Sequence, residues 1–294
     1  MKKQLKDLNL LDRFLFAEAT EDPVIMQYIL EIILGKDIEL QPLCATEKEE
    51  RVTQTQRVVK LDVCAWDTED TVYSTEVQKQ NTYNLPKRSR LYHGIIDGKQ
   101  LPSGEVNYNL LNDSYFIMIM PFDLFKRGRY RYTFEMSCRE ESGLVLGDGA
   151  TRVFLNTKGT DTENESQELI DLLRYFETTT AEVSNYSGSN KIQEVHKRIE
   201  RIKASEEIGV RYMQAWEERI YDKMEAREEG LAEGRAEGRA EGRAEGRAEG
   251  RAEGFVDGFN QSIIKLFAKG QSEEMIADIF EMSIEDVKAI VALK

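Results

Sequence analysis

Apolar and polar residues alternate most clearly over residues 58 to 80, VVKLDVCAWDTEDTVYSTEVQKQ, where two β-rich runs flank the polar turn Asp67-Thr68-Glu69-Asp70-Thr71. Pairing about residue 69 makes facing residue numbers sum to 138, which sets Asp62 opposite Glu76 and Lys60 opposite Gln78. A period of two then puts Leu61, Val63, Ala65, Tyr73, Thr75 and Val77 on a core-facing side, and Lys60, Asp62, Ser74, Glu76 and Gln78 on the other. Opposed like charges destabilise a strand pair. A bound cation accounts for the two acids, and so does a half-solvated polar face.

Helical periods precede and follow this hairpin. Residues 10 to 20 place Leu11, Phe14, Leu15 and Ala19 on one side, and a second helix is predicted to start at Asp22-Pro23 and stop at Gly35. That second helix, with its VIMQYILEIIL run, is apolar on nearly every face apart from Glu31, a carboxylate that either joins a site or points to solvent beside the sheet. A short first strand is expected over residues 38 to 43. A helix is expected over residues 84 to 96, starting near Pro86 with Leu91, Ile95 and Ile96 on the sheet and Lys87, Arg88 and Arg90 outward. The run SYFIMIM at 114 to 120, stopped by Pro121, reads as a central strand. Alternation over 130 to 136 and an apolar stretch at 153 to 156 give two more strands, and 165 to 176 an amphipathic helix. The whole is an α/β domain, a mixed sheet flanked by helices, over residues 1 to 180.

Beyond it the pattern changes. Ile192, Val195, Ile199, Ile202, Met213, Trp216 and Ile220 form a heptad-like stripe within residues 190 to 229, broken near Glu206 and Gly209, which suits docking on the domain or a coiled coil with a second copy. Residues 230 to 254 repeat A-E-G-R, with glycine at every fourth position. Each glycine costs a helix about 1 kcal/mol relative to alanine, whereas a small-residue stripe lets paired helices approach closely. The segment is a tether alone or a helix in an oligomer. Residues 255 to 294 form a small helical module with Ser272 and Ser283 as N-caps. Acids at Glu285 and Asp286 turn its last helix away from DNA reading and towards packing or dimerisation.

Composition narrows the chemistry. With 294 residues and 40% hydrophobic content the chain can bury a sizeable core, and it contains no apolar run of about 18 residues that would span a membrane. Its amino terminus interrupts apolar residues with Asp7, Asn9 and Asp12, so the chain reads as cytoplasmic. Three dispersed cysteines suit reduced thiols, and two histidines leave little for a zinc site. A net charge of −14 argues against coating nucleic acid by charge alone. Between residues 82 and 134, however, Lys87, Arg88, Arg90, Lys99, Lys126, Arg127, Arg129 and Arg131 outnumber four acids.

An Asp on one strand, a short turn and then Glu-X-Gln, here Asp62, Glu76 and Gln78, resembles the PD-(D/E)XK nuclease superfamily and, within it, the recombination-promoting nuclease and transposase branch, where Gln commonly replaces the usual Lys. The flanks agree: Asp12-Arg13-Phe14-Leu15-Phe16, the apolar helix ending near Gly35, and Arg88-Ser89-Arg90-Leu91-Tyr92. The resemblance implies a restriction-endonuclease-like fold and a Mg2+- or Mn2+-dependent DNA endonuclease. Asp62 and Glu76 would hold the metal with Glu31 joining them, Gln78 would orient water or the ligand shell, and Lys60 is a candidate relocated lysine. Arg88 and Tyr92 would contact the scissile phosphate or orient the acids, unless they belong to an ordinary solvated helix face. DNA and a second copy of the chain, joined through the helical tail, are the expected partners. The alternative is a catalytically weak or inactive nuclease-fold interaction or scaffold protein that oligomerises through that tail.

Overall fold

The structure, a computed structural model, describes residues 3–41, 45–50, 59–101 and 104–292, without the side chains of 45–50, 59–62 and 99. The chain divides into two compact units, Met1–Gln214 and Ala215–Lys294.

The first unit is organised on a six-stranded mixed sheet in the order β1-β2-β3-β4-β6-β5. β1 (Ala45–Glu50), β2 (Val59–Trp66) and β3 (Val72–Val77) form an antiparallel meander. β3, β4 (Ser114–Met120) and β6 (Ala150–Asn156) run parallel, and β5 (Arg131–Phe134) closes the far edge antiparallel to β6. This is the mixed sheet with flanking helices that the alternation predicts. The first strand is the exception. Residues 38 to 41 make only an isolated bridge from Leu40 to Asp67, residues 42 to 44 lie outside the described residues, and β1 begins at Ala45. Its sequence, ATEKEE, has no apolar alternation because it is an edge strand, where charge discourages further pairing.

Local chemistry sets the helices. In α1 (Arg13–Thr20) and α2 (Pro23–Leu34) the N-caps Asp12 and Asp22 accept from the N–H groups of Phe14 and Val24. Gly35 ends α2 at φ 66°, a left-handed position where a side chain would be strained. α3 (Leu85–Gln100) connects β3 to β4, and its Ile95 and Ile96 pack with Cys64 and Val72. Leu85 joins Phe116, Met118, Met120 and Phe154 in a second cluster with Tyr92 at its margin. The alternate residues Val63, Ala65, Tyr73, Ile117, Ile119 and Leu155 are buried on the opposite face.

α1 lies against β1 and β2 and packs with α2, and α4 (Gln167–Glu177) packs on α2. α5 (Ala181–Tyr186) leads into α6 (Asn190–Ala204), whose Ile192, Val195 and Ile199 are fully buried as the helix docks on α1, α2 and α5. That part of the heptad stripe is therefore spent inside the chain. Ser205, extended at ψ 122°, separates α6 from α7 (Glu206–Ala268), close to the predicted break. Tyr212, on α7, packs its ring at a tilt against Phe14 with centroids 5.1 Å apart, and its hydroxyl donates to the Lys3 carbonyl.

Residues 230 to 254 are helical throughout and lie wholly within α7. In the second unit, α8 (Glu273–Phe280) and α9 (Ile284–Ala292) close with the end of α7 around Ile263, Ile276, Ala277 and Val287. Ser272 caps α8, and Ser283 accepts from the Asp286 N–H while donating to its carboxylate. No helix among the described residues is long and apolar enough to cross a membrane.

Candidate active site

The β2–β3 ladder pairs Val63 with Thr75, Cys64 with Ser74, Ala65 with Tyr73 and Trp66 with Val72. Continuing that register one step sets the backbone of residue 62 across from Glu76. The side chains of Asp62 and Lys60 lie outside the described residues, and the Lys60 backbone pairs on its other side with Glu49. The turn is held by Asp67, whose carboxylate accepts from the N–H groups of Glu69 and Thr71 and from the Tyr73 hydroxyl.

Glu76 is 3% exposed and Ser74 fully buried, so the side of β3 they occupy is not a half-solvated polar face. α3 covers it, bringing Arg88 to the carboxylate. One guanidinium nitrogen, Nη2, donates to Glu76 Oε2 at 2.8 Å and to Gln78 Oε1 at 2.9 Å. Glu-X-Gln on a strand projects both side chains to one side, and Arg88 grips both. One helical turn on, the Tyr92 ring lies 5.6 Å from the Arg88 guanidinium carbon and meets Phe116 edge-on at 5.9 Å. Gln78 in turn donates to the Gln80 carbonyl at 2.6 Å. Thus Glu76, Gln78, Arg88 and Tyr92 form one connected group at the seam between sheet and helix.

Two buried polar atoms at this seam, Ser74 Oγ and Arg88 Nε, have no hydrogen-bond partner among the described residues. Unsatisfied buried polar groups are costly and concentrate where a site needs them. The chemistry on hand is that of hard oxygen donors beside a fixed cation.

Glu31 belongs to a different seam. At 7% exposure it accepts from Gln27 Nε2 at 3.0 Å and the Ile38 N–H at 3.3 Å, and pairs with Lys191 Nζ at 2.9 Å. Burial pushes this carboxyl up, but the Lys191, Gln27 and Ile38 donors outweigh it and hold it below the usual carboxylate range. Its charge fastens α2 to α6 and does not point to solvent. Among the described residues no group of three or more His, Cys, Asp and Glu side chains forms a metal cluster.

Three features escape the sequence patterns. Lys79, next to Gln78, pairs with Asp12 at 2.9 Å and so ties the end of β3 to the start of α1. His93, one residue after Tyr92, is 2% exposed and pushed down to about 4, first by burial and then by Arg152. Asp123, after β4, gathers a whole loop around its carboxylate. Only the last had a local signal, an Asp followed five residues later by Gly in DLFKRG.

Neither a curated protein nor a solved structure matches the chain. The family described as PD-(D/E)XK nuclease family transposase matches residues 11–229, which include the meander, α3 and every residue of the seam described above. On a match over most of its length, together with a mixed sheet that carries Glu-X-Gln at the carboxyl end of β3, the chain belongs to the PD-(D/E)XK nuclease family transposases.

Proposed function

We propose that the protein is a metal-dependent DNA endonuclease, with a role linked to recombination, mobile elements or defence. The observation that carries this reading is the Arg88 grip on Glu76 and Gln78, buried under α3 beside position 62. The donor set fits a hard divalent ion: two carboxylates and an amide oxygen, with no thiolate or imidazole among them. Mg2+ or Mn2+ held by Asp62 and Glu76 would stabilise charge on the phosphoryl oxygens and lower the pKa of a bound water.

The chain's own residues supply the rest. Arg88 neutralises Glu76 and fixes its orientation, so the carboxylate is presented without a search through rotamers. Gln78, anchored at both ends by Arg88 and the Gln80 carbonyl, has the position of the usual lysine but no titratable proton, so it orients and does not act as a base. Tyr92 holds the guanidinium plane from below. Lys60 remains a candidate cation from the neighbouring strand. We assign Glu31 to the α2–α6 seam instead of the metal set.

The test is plasmid nicking by the purified full chain with Mg2+, with EDTA, and with Glu76→Ala and Asp62→Ala. Nicking that needs both the metal and both acids supports the reading, with an expected loss of at least 100-fold in each variant, about 2.7 kcal/mol. Nicking that persists in the variants sinks it. The scaffold reading is favoured by one feature, since Arg88 already engages Glu76 at 2.8 Å. Absence of nicking under any divalent ion, with metal binding by calorimetry equally absent, would select it.

A further inference from the structure

The loop of residues 121 to 130, PFDLFKRGRY, leaves the carboxyl end of β4 and crosses to β5. It is built around one carboxylate. Asp123 accepts from the N–H groups of Phe125 at 3.0 Å, Lys126 at 2.9 Å and Gly128 at 2.7 Å, and from the Tyr132 hydroxyl at 2.7 Å. The Tyr132 oxygen accepts from the N–H groups of Arg127 and Arg129, both at 3.2 Å. Burial pushes the Asp123 carboxyl up, but these donors outweigh it and leave it below the usual range, so it is ionised at neutral pH.

The backbone is fixed at the same points. Lys126 and Gly128 both sit at positive φ, 56° and 74°, and a Cβ on Gly128 would stand 2.9 Å from Thr160 Oγ1. The Gly128 and Arg129 carbonyls accept from the Thr160 N–H and from Asn156 Nδ2. A loop this heavily bonded is a rigid mount.

What it mounts is positive. Lys126, Arg127 and Arg129 are all exposed, and none makes an ion pair among the described residues. Of the nearby acids, Glu165 pairs with Arg131 at 3.0 Å and is also within electrostatic reach of Arg129, whereas Asp123 inside the loop and Asp161 at the Tyr130 N–H are held through neutral donors. In a chain with a net charge of −14, three exposed cations on one fixed loop, none in an ion-pair contact among the described residues, are conspicuous.

Their place in the fold gives them a use. The loop stands at the carboxyl ends of parallel strands, where open α/β sheets bind ligands. Its Phe122, Leu124 and Phe125 share a cluster with Leu85 and Tyr92, the residue under Arg88. Strands lie about 4.8 Å apart, so a loop running from β4 past β6 to β5 lies roughly 5 to 15 Å to the side of β3. That is up to about four base-pair rises of 3.4 Å from the strand that bears Glu76.

We propose that Lys126, Arg127 and Arg129, mounted by the Asp123-centred loop, bind the phosphate backbone of the substrate DNA a few nucleotides from the Glu76 seam. The inference rests on the nuclease reading for the identity of the polyanion. It concerns positioning, because contacts to phosphates fix register without reading sequence.

The test is fluorescence anisotropy with a labelled 20-bp duplex and the full chain, in Ca2+ so that binding is read without turnover. The variant is Lys126→Gln/Arg127→Gln/Arg129→Gln, and a charge-matched control is Lys6→Gln/Lys197→Gln/Arg201→Gln. Loss of three phosphate contacts should lower the slope of log K against log salt by about 2.7. Between 50 and 200 mM salt the wild type should then lose about 40-fold more affinity than the loop variant. The control should keep the wild-type slope.

An unchanged slope in the loop variant, an equal fall in the control, or no duplex binding by the wild type overturns the inference. The nuclease reading fails separately. A wild type that binds with the expected slope but never nicks leaves the loop standing without a catalyst. One that nicks while the loop variant keeps its slope removes the loop and keeps the catalyst.

Discussion

His93 is a residue whose role is set by what surrounds it and not by its neighbours in sequence. Its imidazole is buried between α3 and the sheet, 6.4 Å from the Phe116 ring, and is held at about 4 by burial first and by Arg152 second. A histidine depressed from 6.5 to about 4 favours the neutral form in the folded state. Its contribution is therefore complete above pH 6.5, declines as pH falls through that window, and is lost below about 4. The size is about 3 kcal/mol. Urea denaturation at pH 7.5 and pH 4.5 should give a wild-type loss that His93→Leu reduces by about that amount. Equal losses in the two proteins would mean that the imidazole does not titrate against folding. No alternation or spacing announced this group. Glu76 and Gln78 are legible because a period of two fixes the side to which β3 and its extension project them, and Arg88 because a helical period turns it off the apolar face of α3, whereas the surroundings of His93 depend on Arg152, 59 positions away in sequence.

At the scale of elements, legibility follows how much of the signal is local. α2 is bounded by Asp22-Pro23 and Gly35 and β4 by Pro121, and the sequence places both to within a residue because their ends are chemical. The pattern misplaces β1 because ATEKEE carries no apolar period, and it leaves α6 open because Ile192, Val195 and Ile199 suit an intramolecular seam as well as a coiled coil. The A-E-G-R repeat is the sharpest case. It is helical within α7, and a Cβ added at Gly234, Gly238, Gly242 or Gly246 would meet nothing within 4 Å. Replacing those four by alanine should therefore stabilise the segment by about 1 kcal/mol at each position. Circular dichroism of the full chain should show the early, tail-specific part of the melt moving upward. A melt that moves downward would place the glycines in contact with another helix, where a methyl group forces the backbones apart.

On the scale of the molecule, the two compact units are unequally equipped to stand alone. The first has β3, β4 and β6 buried on both faces and most of the residues matched by the nuclease family. The second closes on Ile263, Ile276, Ala277 and Val287 while leaving Phe255, Val256, Met275 and Ile279 more than half exposed. Four buried side chains, even with Phe259, Leu266 and Phe280 among the partly buried residues packed around them, make a small core for an independent domain, so pairing with another copy is the economical way to cover the rest. The repeat offers little opposition, since each A-E-G-R unit has one acid and one base and carries no net charge. The full chain should therefore sediment as an oligomer at micromolar concentration, and a chain ended after Glu229 as a monomer. If the seam and the basic loop are sufficient for DNA cleavage, the shortened protein keeps its nicking rate per protomer and its salt slope while losing only the assembly. A shortened chain that remains oligomeric would relocate the interface to the first unit. A monomeric full chain would make α7 a spacer with no partner helix, and the exposed residues of the second unit would then have to be covered by something other than a copy of this protein.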